Sequence, residues 1–436
     1  MTESNQILND GVFILQCGVQ CSSWGKKGED SMVALLLKNN PSFVLDKDQN
    51  YAELWMGSHP SFPSVVRNEK GSVPLADLIK SDSSKTLGVN VAAKFNGELP
   101  YLFKVLSIDK ALSIQAHPCK QLAEKLFREQ PHIYKDPNHK PEMAIALTKF
   151  EALCGFRPVE EILSFFKEVK ELLPIVGQSA VDNLISAEMA SDKRVKQSAV
   201  QHALKEVITC LMKCDEKVIE HQLSSLVARL EDCHKNGEST APYLGHLLLR
   251  THKQFPGDIG CFFVYFLNHL VLEPYEAIFF QPNVPHAYLV GDIVECMASS
   301  DNVVRLGLTP KFKDVDLLLQ MLDCMPQTLD STKFKPYVSA EDPSVCVYNP
   351  PVDDFSVKKI QIDRGTLFYK LMPIDGPSIL LVLSGSGEFT YNTACTNFSR
   401  GTVIFISCNE NVQLVNISPN EDVLLFQAYC DMQPLK

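Results

Sequence analysis

The sequence predicts a mainly-β protein with a helical insertion, and three observations carry that prediction. Compact apolar runs of strand length, bounded by turn or polar residues, fill the chain from about residue 10 to 150 and return after about residue 260. Between them, apolar residues recur with the 3.6-residue period of helices. Polar residues with a period of two, the signature of strands, flank this block on both sides. A helical block lying inside a strand pattern is an insertion into one barrel rather than a separate unit.

The elements follow in order. Phe13-Ile-Leu15, Leu102-Phe-Lys-Val-Leu106 and Met143-Ala-Ile-Ala-Leu147 read as strands, and Ser31–Lys38 reads as a short helix. Pro158 at a first-turn position, followed by Glu160 and Glu161, is a helix start. Ile162, Phe165, Phe166, Val169, Leu172 and Leu173 then share one face. The same periodicity recurs from Val200 to Leu211 and from Ile219 to Leu230, and Phe255-Pro-Gly-Asp258 closes the run. Strand patterning resumes with Cys261-Phe-Phe-Val-Tyr-Phe-Leu267 and Ala277–Phe280. It continues through Ile379–Leu383, Gly401–Ile406 and Val423–Phe426, with Ser384-Gly-Ser-Gly-Glu388 expected to form a hairpin turn. The expected organisation is a first barrel part over 1–156, a helical insertion over 157–256, a second barrel part over 257–329 and a jelly-roll-like C-terminal domain over 330–436.

Composition excludes several function classes. Of 436 residues, 45% are hydrophobic and 21% charged, which fits a globular chain and not a disordered one. A net charge of −11 argues against a nucleic-acid groove. No apolar run reaches the roughly 20 residues that span a bilayer, so no membrane partner is expected. Met1-Thr-Glu-Ser-Asn5 lacks the basic and apolar regions of an export signal, so the 14 cysteines are expected to be reduced and the protein cytoplasmic. Cys17/Cys21 and Cys210/Cys214 are spaced i, i+4, unlike common zinc motifs, and read as packing. Asn397 and Asn416 match a glycosylation pattern that an unexported chain does not use.

Three segments carry the chemistry. In Ser113-Ile-Gln-Ala-His117 the polar residues alternate with apolar ones, so Ser113, Gln115 and His117 share a strand face. The same parity groups Asn138, Lys140 and Glu142, and pairs His286 with Tyr288. Two imidazoles, one carboxylate and one amide oxygen suit a single borderline-soft divalent ion, with zinc the best fit. A lone histidine at a strand end is more often plain packing; three linked segments are not. Gln115, His117, Glu142 and His286 are therefore the expected ligands of one zinc ion per chain.

These segments also resemble the type I phosphomannose isomerases. The resemblance rests on Tyr51-Ala-Glu-Leu-Trp-Met-Gly57, on Leu112–Pro118 and on Asn138-His-Lys-Pro-Glu-Met-Ala144. It extends through His286-Ala-Tyr288, Glu295–Ala298, Ser300-Asp-Asn302, Arg305 and Thr309-Pro-Lys311 to Tyr348-Asn-Pro-Pro-Val-Asp-Asp-Phe355. It implies a cupin-type jelly roll and zinc-dependent interconversion of mannose 6-phosphate and fructose 6-phosphate through an enediol, supplying mannose phosphate for glycosylation. The partner it implies is a phosphorylated hexose, bound by a monomer. Arg305 matches the family's active-site arginine, and its guanidinium stays charged at any working pH. Glu295 is the leading base, with His59 and Tyr288 as fallback proton carriers. Lys104, Ser113 and Lys140 are expected at the phosphate, with Lys311 contributing. The chain departs from the family pattern at Leu306, Cys119, Tyr275 and Ser22-Ser23. Leu306 beside Arg305 is expected to tilt it or narrow the pocket, and it supports the competing reading of a metal-dependent sugar-phosphate sensor without turnover. A cupin oxygenase is a second, weaker alternative.

Overall fold

One 13-residue strand, His286–Ala298, organises the catalytic half. Its C-terminal part pairs antiparallel with Tyr101–Ile108, placing Glu295 opposite Lys104, and with Glu142–Ala146, placing Glu142 opposite Met297. Its N-terminal part pairs with Ile114–Ala116, where His286 faces Gln115, and with Phe150–Phe156, where His286 faces Cys154. These pairings come from a computed structural model that describes residues 11–40, 42–68 and 71–432. The segment Met1–Asn5, expected to lack an export signal, lies outside the described residues.

Strand alternation gives this sheet two buried faces of opposite character. Phe103, Val105, Met143, Val294 and Cys296 point one way and pack into a core with Ile379, Leu381, Phe405 and Phe426. Lys104, Glu142 and Glu295 occupy the intervening positions, so they point into the barrel. The apolar face supplies the burial energy, roughly 1.5–3 kcal/mol for each large side chain. That surplus lets the other face hold charge.

The described residues form large sheets of 11 and 9 strands. The second is not purely C-terminal. Val12–Gln16 inserts between Val403–Ile406 and Val65–Asn68, with Val12 opposite Ile406 and Leu15 opposite Val66. The N-terminal strand therefore joins the sheet built by the C-terminal region, across the boundaries expected from the sequence.

The insertion contains helices Val159–Glu168, Gln178–Glu188, Lys193–Lys213, Glu216–Lys235 and Gly245–Gln254. Asp192 and Asp215 cap the two long helices through backbone N–H groups of Arg194 and Lys217. Leu204, Val207, Leu211, Leu223, Leu226 and Leu230 form its fully buried stripe. Pro158 sits at the N-cap, one position before the expected first turn. Phe150–Phe156 and Leu267–Leu272, the strands on either side of the insertion, pair directly with each other.

Three local expectations are corrected. Cys261–Leu267 is not a strand: Ile259–Tyr265 is a 3-10 helix, started by the Asp258 carboxylate accepting the Gly260 N–H at 2.6 Å. A run apolar at every position carries no period, and only its cap marks the helix. Ser384–Glu388 is not a hairpin, because Ser378–Ser384 and Gly387–Tyr391 belong to different sheets. Asn138 and Lys140 do not share a strand with Glu142, since that strand begins at Glu142 itself.

Glu151 ties the insertion to the barrel. It accepts hydrogen bonds from Arg250, on the last insertion helix, at 3.2 Å and from His269 at 3.0 Å. The His269 bond, opposed by burial and helped by Arg250, pulls its carboxyl down to about 2. A depressed carboxylate adds stability above its unfolded pKa and loses it as pH falls through the folded one. Glu151→Gln is therefore expected to lower stability at pH 7 by about 1 kcal/mol after solvent screening. The deficit should vanish between about pH 4.3 and pH 2. Urea midpoints measured across that window check it.

Candidate active site

His117 lies just past the short strand Ile114–Ala116, and its Nδ1 meets the Asn302 carbonyl at 2.7 Å. His286 opens the long strand, and its Nδ1 meets the Val284 carbonyl at 3.0 Å. A carbonyl only accepts, so both rings carry the proton on Nδ1 and turn a bare Nε2 lone pair inward. Glu142 stands between them, with Oε1 at 3.4 Å from His117 Nε2 and Oε2 at 3.3 Å from His286 Nε2.

Burial, only partly offset by Glu142, pulls His117 down to about 4, so its ring is neutral. Burial alone would raise Glu142, but its surroundings, with the Lys140 ammonium 3.2 Å from Oε1, hold the carboxyl well below its usual range. His117 Nε2, Glu142 Oε2 and His286 Nε2 are buried without a hydrogen-bond partner. Their donor atoms lie within 4.8 Å of one another. Buried polar atoms are normally satisfied, and a divalent cation is what satisfies three converging donors of this chemistry. Gln115 faces both His286 and Arg305 across the sheet. Its Oε1 accepts from Ser113 Oγ at 3.3 Å and keeps a second lone pair.

Lys104 is 7% exposed, and its Nζ lies 3.3 Å from Glu53 and 3.4 Å from Glu295. It also sits 4.3 Å from the Trp55 ring, whose indole N–H donates to Glu53 at 2.9 Å. Burial lowers the ammonium, but Glu53, Glu295 and Glu142 outweigh it and raise it above an ordinary lysine. Lys104 is thus placed as a counter-ion for carboxylates. Glu295 itself is raised by burial against the pull of Lys104, and it accepts a 2.7 Å hydrogen bond from Tyr288 Oη. Lys140 Nζ lies 3.2 Å from Glu142 Oε1.

Arg305 is half-buried, and its guanidinium makes no hydrogen bond or ion pair among the described residues. It lines a cavity of about 320 Å³ with Tyr134, Lys135, Asp301 and Phe312. Lys311 is exposed and is not part of that lining. His59 Nε2 reaches Asp301 at 3.4 Å, which holds the Asp301 carboxyl low. Sequence reasoning assigned no role to Glu53, Trp55 or Asp301. All three lie inside the motifs that carried the family resemblance, which was the available signal.

Leu306 does not crowd the arginine. It is fully buried in the core that joins Val304, Leu308 and Leu318 to the helical insertion. Leu306→Ala is therefore expected to cost about 3 kcal/mol through the cavity left behind, with kcat unchanged. Thermal melts and steady-state rates of the purified variant check both halves. Tyr275 does adopt the strained geometry of a glycine turn, at φ 73°. The Tyr348 hydroxyl donating to its carbonyl at 2.8 Å and Lys359 stacked 4.2 Å from its ring hold it there. Cys119 occupies the N-cap of Lys120–Glu129 without a side-chain bond, the place where Asp or Asn would supply one.

This arrangement defines a metal-binding jelly-roll protein whose site pairs a cation cradle with an unpaired guanidinium. Type I phosphomannose isomerase models match the chain as catalytic domain over residues 12–159, helical insertion domain over 175–267 and C-terminal region over 346–393. Mannose-6-phosphate isomerase of Rattus norvegicus is 46% identical over 97% of this chain and 99% of its own. A variant of phosphomannose isomerase from Salmonella typhimurium superposes with a TM-score of 0.81 at 29% identity, covering 97% of this chain and 100% of its own. A zinc-bound mannose 6-phosphate isomerase superposes with a TM-score of 0.80 at 28% identity and the same coverage. The chain belongs to the type I phosphomannose isomerase family.

Proposed function

We propose that this chain interconverts mannose 6-phosphate and fructose 6-phosphate, using one zinc ion held by Gln115, His117, Glu142 and His286. The observation that carries the reading is the set of three buried donors facing one another without partners. The names of the relatives and the zinc in a similar structure support it. When bound, zinc supplies Lewis-acid stabilisation of negative charge on the sugar oxygens.

The chain's own residues do the rest. Glu295 takes the proton from C2 of the open-chain aldose and returns it to C1, while the proton on O2 passes to O1. Its raised carboxyl suits that task, because a base works best with a pKa near the operating pH. Tyr288 and Lys104 hold its two oxygens in place. Arg305 stabilises the negative charge that develops on oxygen in the transition state. Lys140 and Ser113 hold the phosphate, and Lys104 acts on it only at long range, being engaged by two carboxylates. The proposed setting is a cytosolic monomer feeding mannose phosphate to glycosylation. All 14 cysteines are unbridged, and no described helix is long and apolar enough to cross a membrane.

A coupled assay with mannose 6-phosphate, before and after chelation, tests this. Turnover lost on chelation and restored by zinc is the expected result, and a metal-loaded protein that binds the sugar phosphate without turnover would establish the sensor instead. The feature that favoured a sensor, Leu306, points away from the site.

A further inference from the structure

The loop from Asp136 to Pro141 carries Lys140 to within 3.2 Å of Glu142 without any regular secondary structure. One side of it is pinned from within the catalytic half. The Asp136 carboxylate accepts Ser300 Oγ at 2.8 Å and the Asp301 N–H at 2.8 Å, and Asn302 Nδ2 donates to the Asp136 carbonyl at 2.8 Å and to the Asn138 carbonyl at 2.9 Å. The other side is pinned from the C-terminal region. His139 Nε2 lies 3.1 Å from both carboxylate oxygens of Asp354. Asp354 is buried, and its neighbours fix it. Phe355 is packed in the core between the two large sheets, and the Asp353 carbonyl accepts Cys430 Sγ at 3.3 Å.

We propose that Asp354 is a positioning residue for the isomerase site: through His139 it sets the placement of Lys140, so the C-terminal domain completes the phosphate end. The argument rests on the proposed role of Lys140. His139 is its immediate neighbour, and between the Asn138 carbonyl, held by Asn302, and the Pro141 carbonyl, which accepts the Ala298 N–H at 3.2 Å, the His139–Asp354 contact is the side-chain anchor beside the lysine. Glu142 is insulated from this effect. It already belongs to a strand paired on both sides, with Phe280 and with Met297. Asp354 therefore acts on substrate placement and not on the metal. It also gives work to a domain whose described residues show no cluster of metal-ligating side chains.

The test compares wild type, Asp354→Asn, His139→Gln and the double variant, each measured for zinc content, thermal midpoint, steady-state kinetics and calorimetric affinity for mannose 6-phosphate. The expected result is a rise of about tenfold in KM and Kd for either single variant, with zinc content unchanged. The double variant should be no worse than the singles, because both break one link. Unchanged KM and Kd, even with a lowered thermal midpoint, would overturn the proposal by showing a purely structural contact. So would additive losses in the double variant, or losses that track zinc content. Should Asp354→Asn fail to fold, His139→Gln, whose side chain is 22% exposed, carries the same comparison. Absence of turnover in wild type would sink the isomerase reading alone, since the calorimetric comparison still reads the loop.

Discussion

His286→Ala and His117→Ala are expected to purify with little zinc and to lose about a thousandfold in turnover. Lewis-acid stabilisation supplies several kcal/mol, and each ~1.4 kcal/mol is a factor of ten in rate. The loss should appear in metal analysis before it appears in kinetics. Each histidine offers one Nε2 lone pair, aimed by the Asn302 carbonyl for His117 and the Val284 carbonyl for His286, so removing either ring breaks the cradle rather than reshaping it. Stripping zinc from the wild type should also lower its thermal midpoint, because a ligand that binds only the folded state stabilises it. Full metal occupancy in both variants would sink the assignment.

For Arg305→Ala, the expected result is a loss of about a hundredfold in kcat and in kcat/KM together, near 3 kcal/mol. Zinc content should not change, since Arg305 touches none of the three converging donors. The guanidinium is half-buried, unpaired and open to the 320 Å³ cavity, so it pays desolvation without an internal partner. A ligand's oxygen is the partner proposed for it. The split between parameters decides which oxygen. A rise in KM with kcat preserved would move Arg305 from the transition state to ground-state phosphate binding. Near-normal turnover would remove it from the site.

Lys104 and Glu295 entered the candidate site through the family resemblance, yet strand geometry alone places them. A period of two sends Lys104, Glu142 and Glu295 to the face opposite Val105, Met143 and Val294, and that pattern is written in the residues themselves. The parity argument gave Lys140 the right neighbour for the wrong reason: it reaches Glu142 from a loop and not along a strand. Cys261–Leu267 was illegible because an all-apolar run has no period to read. What lay beyond sequence was pairing across distance. Nothing local to Lys104 says that Glu53 will take up one side of its charge, and nothing in Val12–Gln16 says that it will lie beside Val403–Ile406. Leu306 was misjudged for a related reason: its chain neighbour is Arg305, but its side chain packs with the insertion.

The helical insertion also sets an order of assembly. Gln115, His117 and Glu142 leave the ribosome well before His286, with the entire insertion between them, and chains are made N-terminal end first. The insertion's helices close on contacts near in sequence, which form fast, whereas the pairing of Phe150–Phe156 with Leu267–Leu272 must wait for both ends. Until that pairing forms, Glu142 and the first histidine have no third partner and the cradle cannot close. Zinc capture is thus expected late in folding, with the metal reporting on the completed fold rather than starting it.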